Sequence, residues 1–397
     1  MKNLLFITQH LPYPPYSGAR RREYELLKNI AKKYRIYLYA VSNTFSEDDS
    51  NKNKIDIDGI VIELFKANSK RDLDYLNSKN IVAQIHRNNV VSAKNRIEEL
   101  LKKEKIDIIH IEGFYMFPLL PPDYTQPVLL VEQNIEFTIW EQQAKLYPEQ
   151  QDKYNYQSEL TKFSEIEIWK KVDKLITVTD DDKAIAEKYV CNKDIEIVTN
   201  GFDHTTKTIK GNEPDIKIDK NYYNLLYIGN FEYKPNEDAA LFFSKSILPK
   251  IQNQISNVRV YFVGNIGCSC VKDLNNNSNI YVTGRISDLS FLYSHCDIFI
   301  CPLRLGGGIK TKILEAINHK KAIVTTSIGV QGIKQSLNSP LSIADSPDAF
   351  CKEVIRLLSD KEYKEIKEQY CNDFIKDWVT WKEAANTLTT SYENLIR

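Results

Sequence analysis

The sequence predicts an α/β fold of two doubly wound units, each a parallel sheet covered by helices on both faces. Three observations lead there. At 397 residues the chain exceeds what one core usually holds, since single cores stop growing near roughly 250 residues. Short runs rich in β-branched and aromatic residues alternate with longer amphipathic stretches, the pattern of strands buried on both faces. That alternation breaks off in a polar stretch and then restarts.

The first series of strands is expected in LLFIT (4–8), RIYLYAVS (35–42), IDGIVIELF (57–65), IDIIHIEG (106–113), PVLLVEQ (127–133) and KLITVT (174–179). An apolar-poor segment follows from Asp203 to Asn221. The second series runs through NLLYIGN (224–230), VRVYFVGN (258–265), NIYVTG (279–284), DIFICPL (297–303) and KAIVTTS (321–327). The expected domains are therefore 1–204, a linker at 205–221, and 222–375. Beyond Pro347 the pattern turns helical, and the last segment, 376–397, with Trp378 and Trp381, forms a helix able to pack back on the N-terminal domain.

Fifty-three basic residues balance fifty-three acidic ones, so no global field recruits nucleic acid or an anionic membrane. The seven cysteines lack C-x-x-C spacing and a matching histidine pattern, so zinc is not expected and they read as reduced thiols. Cys296 and Cys301 fall in apolar runs as small buried hydrophobes. The opening MKNLLFITQHLPYPP is too short in apolar residues for a secretory signal, and no stretch is long enough to span a bilayer. A cytoplasmic protein is expected, with peripheral association at the inner membrane face left open.

Ligands of doubly wound sheets sit beyond the carboxyl ends of the strands, which directs attention to the loops that follow them. After DIFICPL comes RLGGGIK and then a helix, TKILEAINHK. Gly306, Gly307 and Gly308 allow close backbone approach, and the helix start offers N–H groups and a positive dipole end to an anion. Lys310 and Lys312 add point charges suited to a diphosphate, as does Arg304. Glu315 either accepts hydrogen bonds from a ribose diol or serves the helix dipole. After NLLYIGN, Gly229 permits a tight turn, Lys234 stands near a second phosphate position or is merely exposed, and Asn236 or Asp238 is placed to cap the next helix.

The run PLRLGGGIKTKILEAINHKKAIVTTSIGVQGI (302–333) resembles the donor-binding element of glycosyltransferase family four, whose members are retaining enzymes of the two-domain GT-B architecture. The resemblance places Glu315 on the second glutamate of the family's E-x7-E pattern, which holds the nucleotide ribose. The first glutamate would fall at Gly307 and is missing, as in a glycine-rich branch of the family; amides of Gly307 to Lys310, including Ile309 and leading to Thr311, are expected in its place. Asn230 occupies the position of the family's diphosphate-gripping arginine and Lys234 lies close to that of its lysine. Gly264 and Arg285 match positions that border the base.

In the N-terminal half, QHLPYPPYSGARRREYELLK lacks G-x-G-x-x-G, which disfavours a dinucleotide oxidoreductase. It resembles the first loop of GT-B glycosyltransferases, with Gly18 beneath the donor diphosphate. Arg20, Arg21 and Arg22 suit an anionic acceptor or phospholipid, or form a solvated helix face. His110 ends IDIIHIEG and matches a family histidine beside the transferred sugar; with Lys234 and Lys310 it completes the expected catalytic set. Glu132, Asn134 and Glu136 fall in a stretch like the family's H-N-x-E segment, on the acceptor side. Asp180, Asp181 and Asp182 are read as a helix start rather than a metal site.

The resemblance implies transfer of a sugar from a nucleoside diphosphate sugar, UDP-linked by default, to an acceptor hydroxyl with retention. It implies no metal and no cofactor beyond the donor substrate. Two alternatives share the fold, a GT-B nucleotide-sugar epimerase and an inactive nucleotide-sugar-binding partner in a glycan assembly complex. The acceptor is left open as a sugar, lipid or protein.

Overall fold

The computed structural model describes residues 1–202, 218–286, 289–336 and 338–396. The chain forms two compact units, Met1–Gly201 together with Val379–Arg397, and Phe202–Trp378. Most of the expected linker, 205–221, lies outside the described residues.

In the first unit the strands are β1 (Lys2–Thr8), β2 (Tyr34–Ser42), β3 (Ile60–Lys66), β4 (Ile108–Glu112), β5 (Val128–Glu132), β6 (Lys174–Thr177) and β7 (Ile195–Ile197). They form one parallel sheet in the order β3-β2-β1-β4-β5-β6-β7. Side chains alternate between the two faces. Leu4, Phe6, Ile108 and Leu129 face one apolar layer, while Leu5, Ile7, Ile109 and Leu130 face the other. The first layer is covered by the helix Gly18–Ile30 and by the last helix, Trp381–Leu395, through Leu26, Ile30, Trp381, Leu388 and Tyr392. A capping box starts that last helix: Thr380 Oγ1 accepts from Glu383 N at 3.2 Å, and the Glu383 carboxylate accepts from Thr380 N at 2.7 Å.

In the second unit β8 (Tyr223–Ile228), β9 (Val258–Val263), β10 (Ile280–Gly284), β11 (Ile298–Cys301), β12 (Ala322–Thr325) and β13 (Leu341–Ile343) form a parallel sheet in the order β10-β9-β8-β11-β12-β13. Its direction of winding reverses between β8 and β11, as that of the first sheet does between β1 and β4. Loops leaving two strands in opposite directions open a crevice at such a point.

Two expectations about cysteine and capping are corrected here. Cys296 and Cys301 are buried thiols, but Cys268 and Cys270 are joined by a disulfide, so the seven are not all reduced. Asn236 and Asp238 do not cap the helix Lys234–Phe242; both lie inside it, buried, and point into tertiary contacts. Asp180, Asp181 and Asp182 occupy the first turn of the helix Asp180–Glu187, where Thr179 caps Asp182 N at 3.0 Å.

Candidate functional site

The crevice between β8 and β11 gathers most of the residues singled out in the second unit. The carboxyl ends of β8 and β9 approach so closely that a Cβ on Gly264, whose φ is +143°, would lie 1.8 Å from the Gly229 carbonyl oxygen. Only glycine allows this approach. On the other side of Gly229, a Cβ would stand 3.0 Å from Lys312 Nζ and 2.9 Å from the Asn236 carboxamide carbon. The loop after β8 and the helix Thr311–Asn318 after β11 thus converge on one backbone position.

Lys312 and Asn236 hold this junction together. Lys312 Nζ donates to Asn236 Oδ1 at 2.7 Å and to the Tyr227 hydroxyl at 3.1 Å, and stands over the Tyr227 ring. Asn236 Nδ2 donates to the Asn230 carbonyl at 2.9 Å, fixing the turn, while Asn230 Oδ1 accepts from Glu232 N at 3.1 Å. Burial lowers the Lys312 ammonium to about 8, with Cys301 and then Glu315, one helical turn further on, opposing the shift. A desolvated cation next to a glycine turn gains most from an incoming anion. Among the described residues no side chain caps the first turn of this helix, whose N-terminal end adds to the positive potential.

Other expected ligand groups are engaged differently. Lys310 is buried, and its Nζ donates to the carbonyls of Gly307 and Gly308 at 2.9 and 2.8 Å and to Gln331 Oε1 at 3.1 Å. An ammonium has three protons, so Lys310 shapes the glycine loop rather than presenting a donor to a phosphate. Arg304 forms a bidentate pair with Asp238, at 2.6 and 3.0 Å. Lys234 begins its helix and pairs with Glu237 at 2.7 Å on a half-exposed surface. Arg285 donates to Asn265 Oδ1 at 3.0 Å, beyond the end of β10. Gly306, Gly307, Gly308 and Ile309 lead into Thr311, with Gly306 and Gly308 at φ of +134° and +59°. Glu315 lies on the helix three residues after Lys312.

In the first unit the polar residues collect at the ends of β1, β4 and β5. A cavity of about 60 Å³ is lined by Gln9, Ala19, Glu23, Glu112, Gly113, Tyr115, Glu132, Gln133, Asn134 and Glu136. Glu132, Asn134 and Glu136 all line it. Gly113, at φ +85°, lets the Tyr115 ring fold back to where a Cβ would stand 2.4 Å from it. The buried Tyr115 ring packs edge-on against Phe114, with ring centroids 5.4 Å apart. Burial raises the carboxyl of Glu132 far above its usual range, and that of Glu136 to about 6. Burial pushes Glu112 up as well, but its bond from His110, the charge of Arg22 and a bond from Gln133 hold it below the usual range. A larger, more open depression of about 360 Å³, lined by Asn68, Val82, Ile85, His86 and Asn89 among others, has His86 as its one ionisable wall group.

Two N-terminal assignments change. His110 sits in the middle of β4, fully buried, stacked on Phe6 with ring centroids 4.1 Å apart. Its Nε2 meets Glu112 Oε1 at 2.9 Å and its Nδ1 meets the Tyr392 hydroxyl at 2.6 Å. β4 runs two residues past it, and Glu112 rather than His110 lines the cavity. Arg20 is buried in a bidentate pair with Asp48 at 2.7 and 3.1 Å, and also donates to the Leu11 carbonyl. Arg22 is fully buried, bonded to Asn200 at 2.8 Å, and Gly18 opens the first helix behind the Ser17 cap.

Comparison with known proteins agrees with this architecture. Residues 222–360, which hold the β8–β11 crevice, match the family described as glycosyl transferases group 1. The chain is 23% identical over 305 residues to an uncharacterized 44.6 kDa protein in the cps region of Klebsiella pneumoniae, covering 72% of this chain and 73% of that one. It is 25% identical over 240 residues to an uncharacterized glycosyltransferase of Methanocaldococcus jannaschii, covering 58% and 60%. Among solved structures, sucrose-phosphate synthase from Thermosynechococcus elongatus superposes with a TM-score of 0.73 at 12% identity, covering 100% and 99% of the two chains. Anabaena HepE, solved with UDP and glucose, gives 0.67 at 12% identity, covering 99% and 100%. The fold is GT-B. With the group 1 domain, it supports a GT-B glycosyltransferase.

Proposed function

We propose that the chain is a retaining, metal-independent glycosyltransferase of the family-four type, moving a sugar from a nucleoside diphosphate sugar to an acceptor hydroxyl in glycan, glycolipid or glycoprotein assembly. The observation that carries this reading is the junction of Gly229, Gly264, Asn236 and Lys312 at the winding reversal of the second sheet. The diphosphate would lie against the Gly229 turn and the start of the helix Thr311–Asn318, with Lys312 as its nearest cation. Charge growing on the departing phosphate strengthens these contacts in the transition state, which is where they accelerate transfer. Glu315 would hold the ribose, and Gly264 and Arg285 would border the base. Lys234 assists once it leaves Glu237. HepE was solved with UDP, which makes UDP the first donor nucleotide to test.

The acidic cavity of the first unit would receive the acceptor. Its walls offer carboxyl groups and the Tyr115 hydroxyl, so they suit a neutral, hydroxyl-bearing group. This replaces the anionic acceptor expected from the arginines of the first helix.

The test is thermal-shift binding of UDP, GDP, dTDP and CMP to the wild type, Lys312→Met and Glu315→Ala, with and without magnesium. A ligand that binds only the folded state raises the melting temperature. One diphosphate should raise it in the wild type without magnesium, and less in both variants. Loss of the ribose bonds should weaken binding about ten- to a hundredfold, at roughly 1.5 to 3 kcal/mol each. No shift with any nucleotide would remove the donor site.

A further inference from the structure

A cluster outside this chemistry lies at the edge of the loop after β8. After β9, Cys268 stands at the N-cap of the short helix Ser269–Lys272 and Cys270 lies inside it, and the carboxylate of Glu237, on the helix after β8, comes to them. One oxygen of Glu237 and the two sulfurs all lie within 4.8 Å of one another, half-buried. Among the described residues this is the one group of three such ligands so placed.

The two segments are held together by contacts that do not depend on the bond between the sulfurs. Phe231 N donates to the Asn265 carbonyl at 2.8 Å. Gly267 lies so close to Glu232 that a Cβ on it would stand 2.5 Å from the Glu232 Cα. Val271 and Phe231 are buried in the same core. Reduction of the disulfide therefore leaves two thiols next to Glu237 instead of releasing the loop.

We propose that Cys268, Cys270 and Glu237 form a redox-gated site for a thiophilic divalent cation, with zinc as the reference ion. With the disulfide closed, neither sulfur is a thiolate and the site is shut. A dithiol reductant supplies two electrons and two protons, becomes a disulfide itself, and yields the two thiols. Both thiols lose their protons as the ion binds, giving two thiolates and one carboxylate around it. Two sulfurs and one oxygen suit zinc and leave its fourth position to solvent.

The ion takes no part in sugar transfer. It acts on Lys234, which now pairs with Glu237 at 2.7 Å. Drawing the carboxylate to the metal takes this one partner from the ammonium, which begins the helix after the turn at Gly229. This second effect rests on the diphosphate assignment made above, whereas the metal site does not.

The experiment uses the full chain. It is reduced with tris(2-carboxyethyl)phosphine, freed of reductant and metal under argon, and titrated with Co2+ as a spectroscopic probe and then with Zn2+ against a chromophoric chelator. One equivalent should bind with a thiolate-to-cobalt charge-transfer band. The band should vanish in the double variant Cys268→Ser, Cys270→Ser and after diamide oxidation of the wild type. Zinc affinity should fall by at least about tenfold in Glu237→Gln. Circular dichroism and melting temperature check that the variants fold. No band in the reduced wild type, or a band surviving in the double variant, would overturn the site. The UDP-induced thermal shift, measured with and without zinc, reads the link to Lys234: it should grow with zinc in the wild type and not in Glu237→Gln. A bound ion that leaves the UDP shift unchanged would overturn that link alone, and absence of any UDP shift would count against the donor site instead.

Discussion

Lys312 Nζ donates to Asn236 Oδ1 across 2.7 Å, joining the helix that follows β11 to the helix that follows β8. These two strands are neighbours in the sheet but are separated in sequence by β9 and β10. The bond thus closes the crevice at the winding reversal and brings a buried cation beside the Gly229 turn. Asn236 supplies an acceptor to the ammonium and a donor to the Asn230 carbonyl, so one side chain sets both the charge and the turn.

The first prediction concerns pH. Burial lowers Lys312 to about 8, and a bound diphosphate favours its charged form. UDP affinity should therefore be flat below pH 8 and fall above it, approaching about tenfold per pH unit before the bound-state value is reached. Lys312→Met should bind more weakly and lose this dependence. For stability the sign is opposite. The folded state holds fewer protons than the unfolded one between about 8 and the ordinary lysine range, so the Lys312 contribution improves as pH rises through that window. Calorimetric titration of UDP between pH 7 and about 9.5 checks the binding limb.

A pair of glycines separates backbone strain from collision. Gly264→Ala places a methyl 1.8 Å from the Gly229 carbonyl oxygen at a φ of +143°, so the ends of β8 and β9 must part. Destabilisation of more than about 2 kcal/mol is expected, together with loss of the UDP-induced shift. Gly284→Ala has a φ of +76° but nothing within 4 Å of the new methyl. It should cost about 1 kcal/mol and keep UDP binding. Equal losses in the two variants, measured by chemical denaturation and UDP titration, would contradict the close-approach role of Gly264.

His110 should behave as a core residue. His110→Phe keeps a ring on Phe6 but takes one hydrogen-bond partner from buried Glu112, which retains Gln133, and one from the buried Tyr392 hydroxyl. A loss of about 3 kcal/mol is expected, with UDP affinity of the folded protein within about twofold of wild type. A variant of wild-type stability that had lost transfer would return His110 to the catalytic set.

The apolar runs located the central strands and the restart of the pattern, because strands buried on both faces carry their own signature. β7 and β13 were not legible, since three residues each, at the ends of the two sheets, are too short for a period to declare itself. The glycine loop and Lys312 were visible as types in a suitable order. What Lys310 and Asn236 do was not, because the direction of an ammonium or an amide is decided by groups brought in from Gln331 and Tyr227. His110 was misplaced for a related reason. In a strand buried on both faces, neighbouring residues look equally interior, and the end of the strand is set by its pairing with β5, which continues to Glu112. The Cys268–Cys270 pair escaped the spacing rules because one intervening residue matches none of the common cysteine patterns.

The carboxyl group of Glu136 offers a test in which stability and function move apart. Burial raises it to about 6, against weaker opposition from hydrogen bonds donated by Gln84 and Asn134. The folded protein thus binds more protons than the unfolded chain between the ordinary glutamate range and pH 6. Stability from this group is fully present below that range and lost as pH rises through about 6, so at neutral pH the ionised carboxylate is held at a cost. Glu136→Gln removes that cost and keeps an acceptor for Gln84, so it should stabilise the protein by about 1–2 kcal/mol at pH 7 and by nothing near pH 4. If the cavity receives the acceptor, the same change removes a charged hydrogen-bond acceptor from its wall. Transfer from UDP-sugar should then fall through a raised acceptor KM, about tenfold, with UDP binding unchanged. A stabilised variant with unaltered transfer would mean that Glu136 is strained for some purpose other than acceptor binding, and an unstabilised one would mean that its carboxylate is satisfied in the folded state.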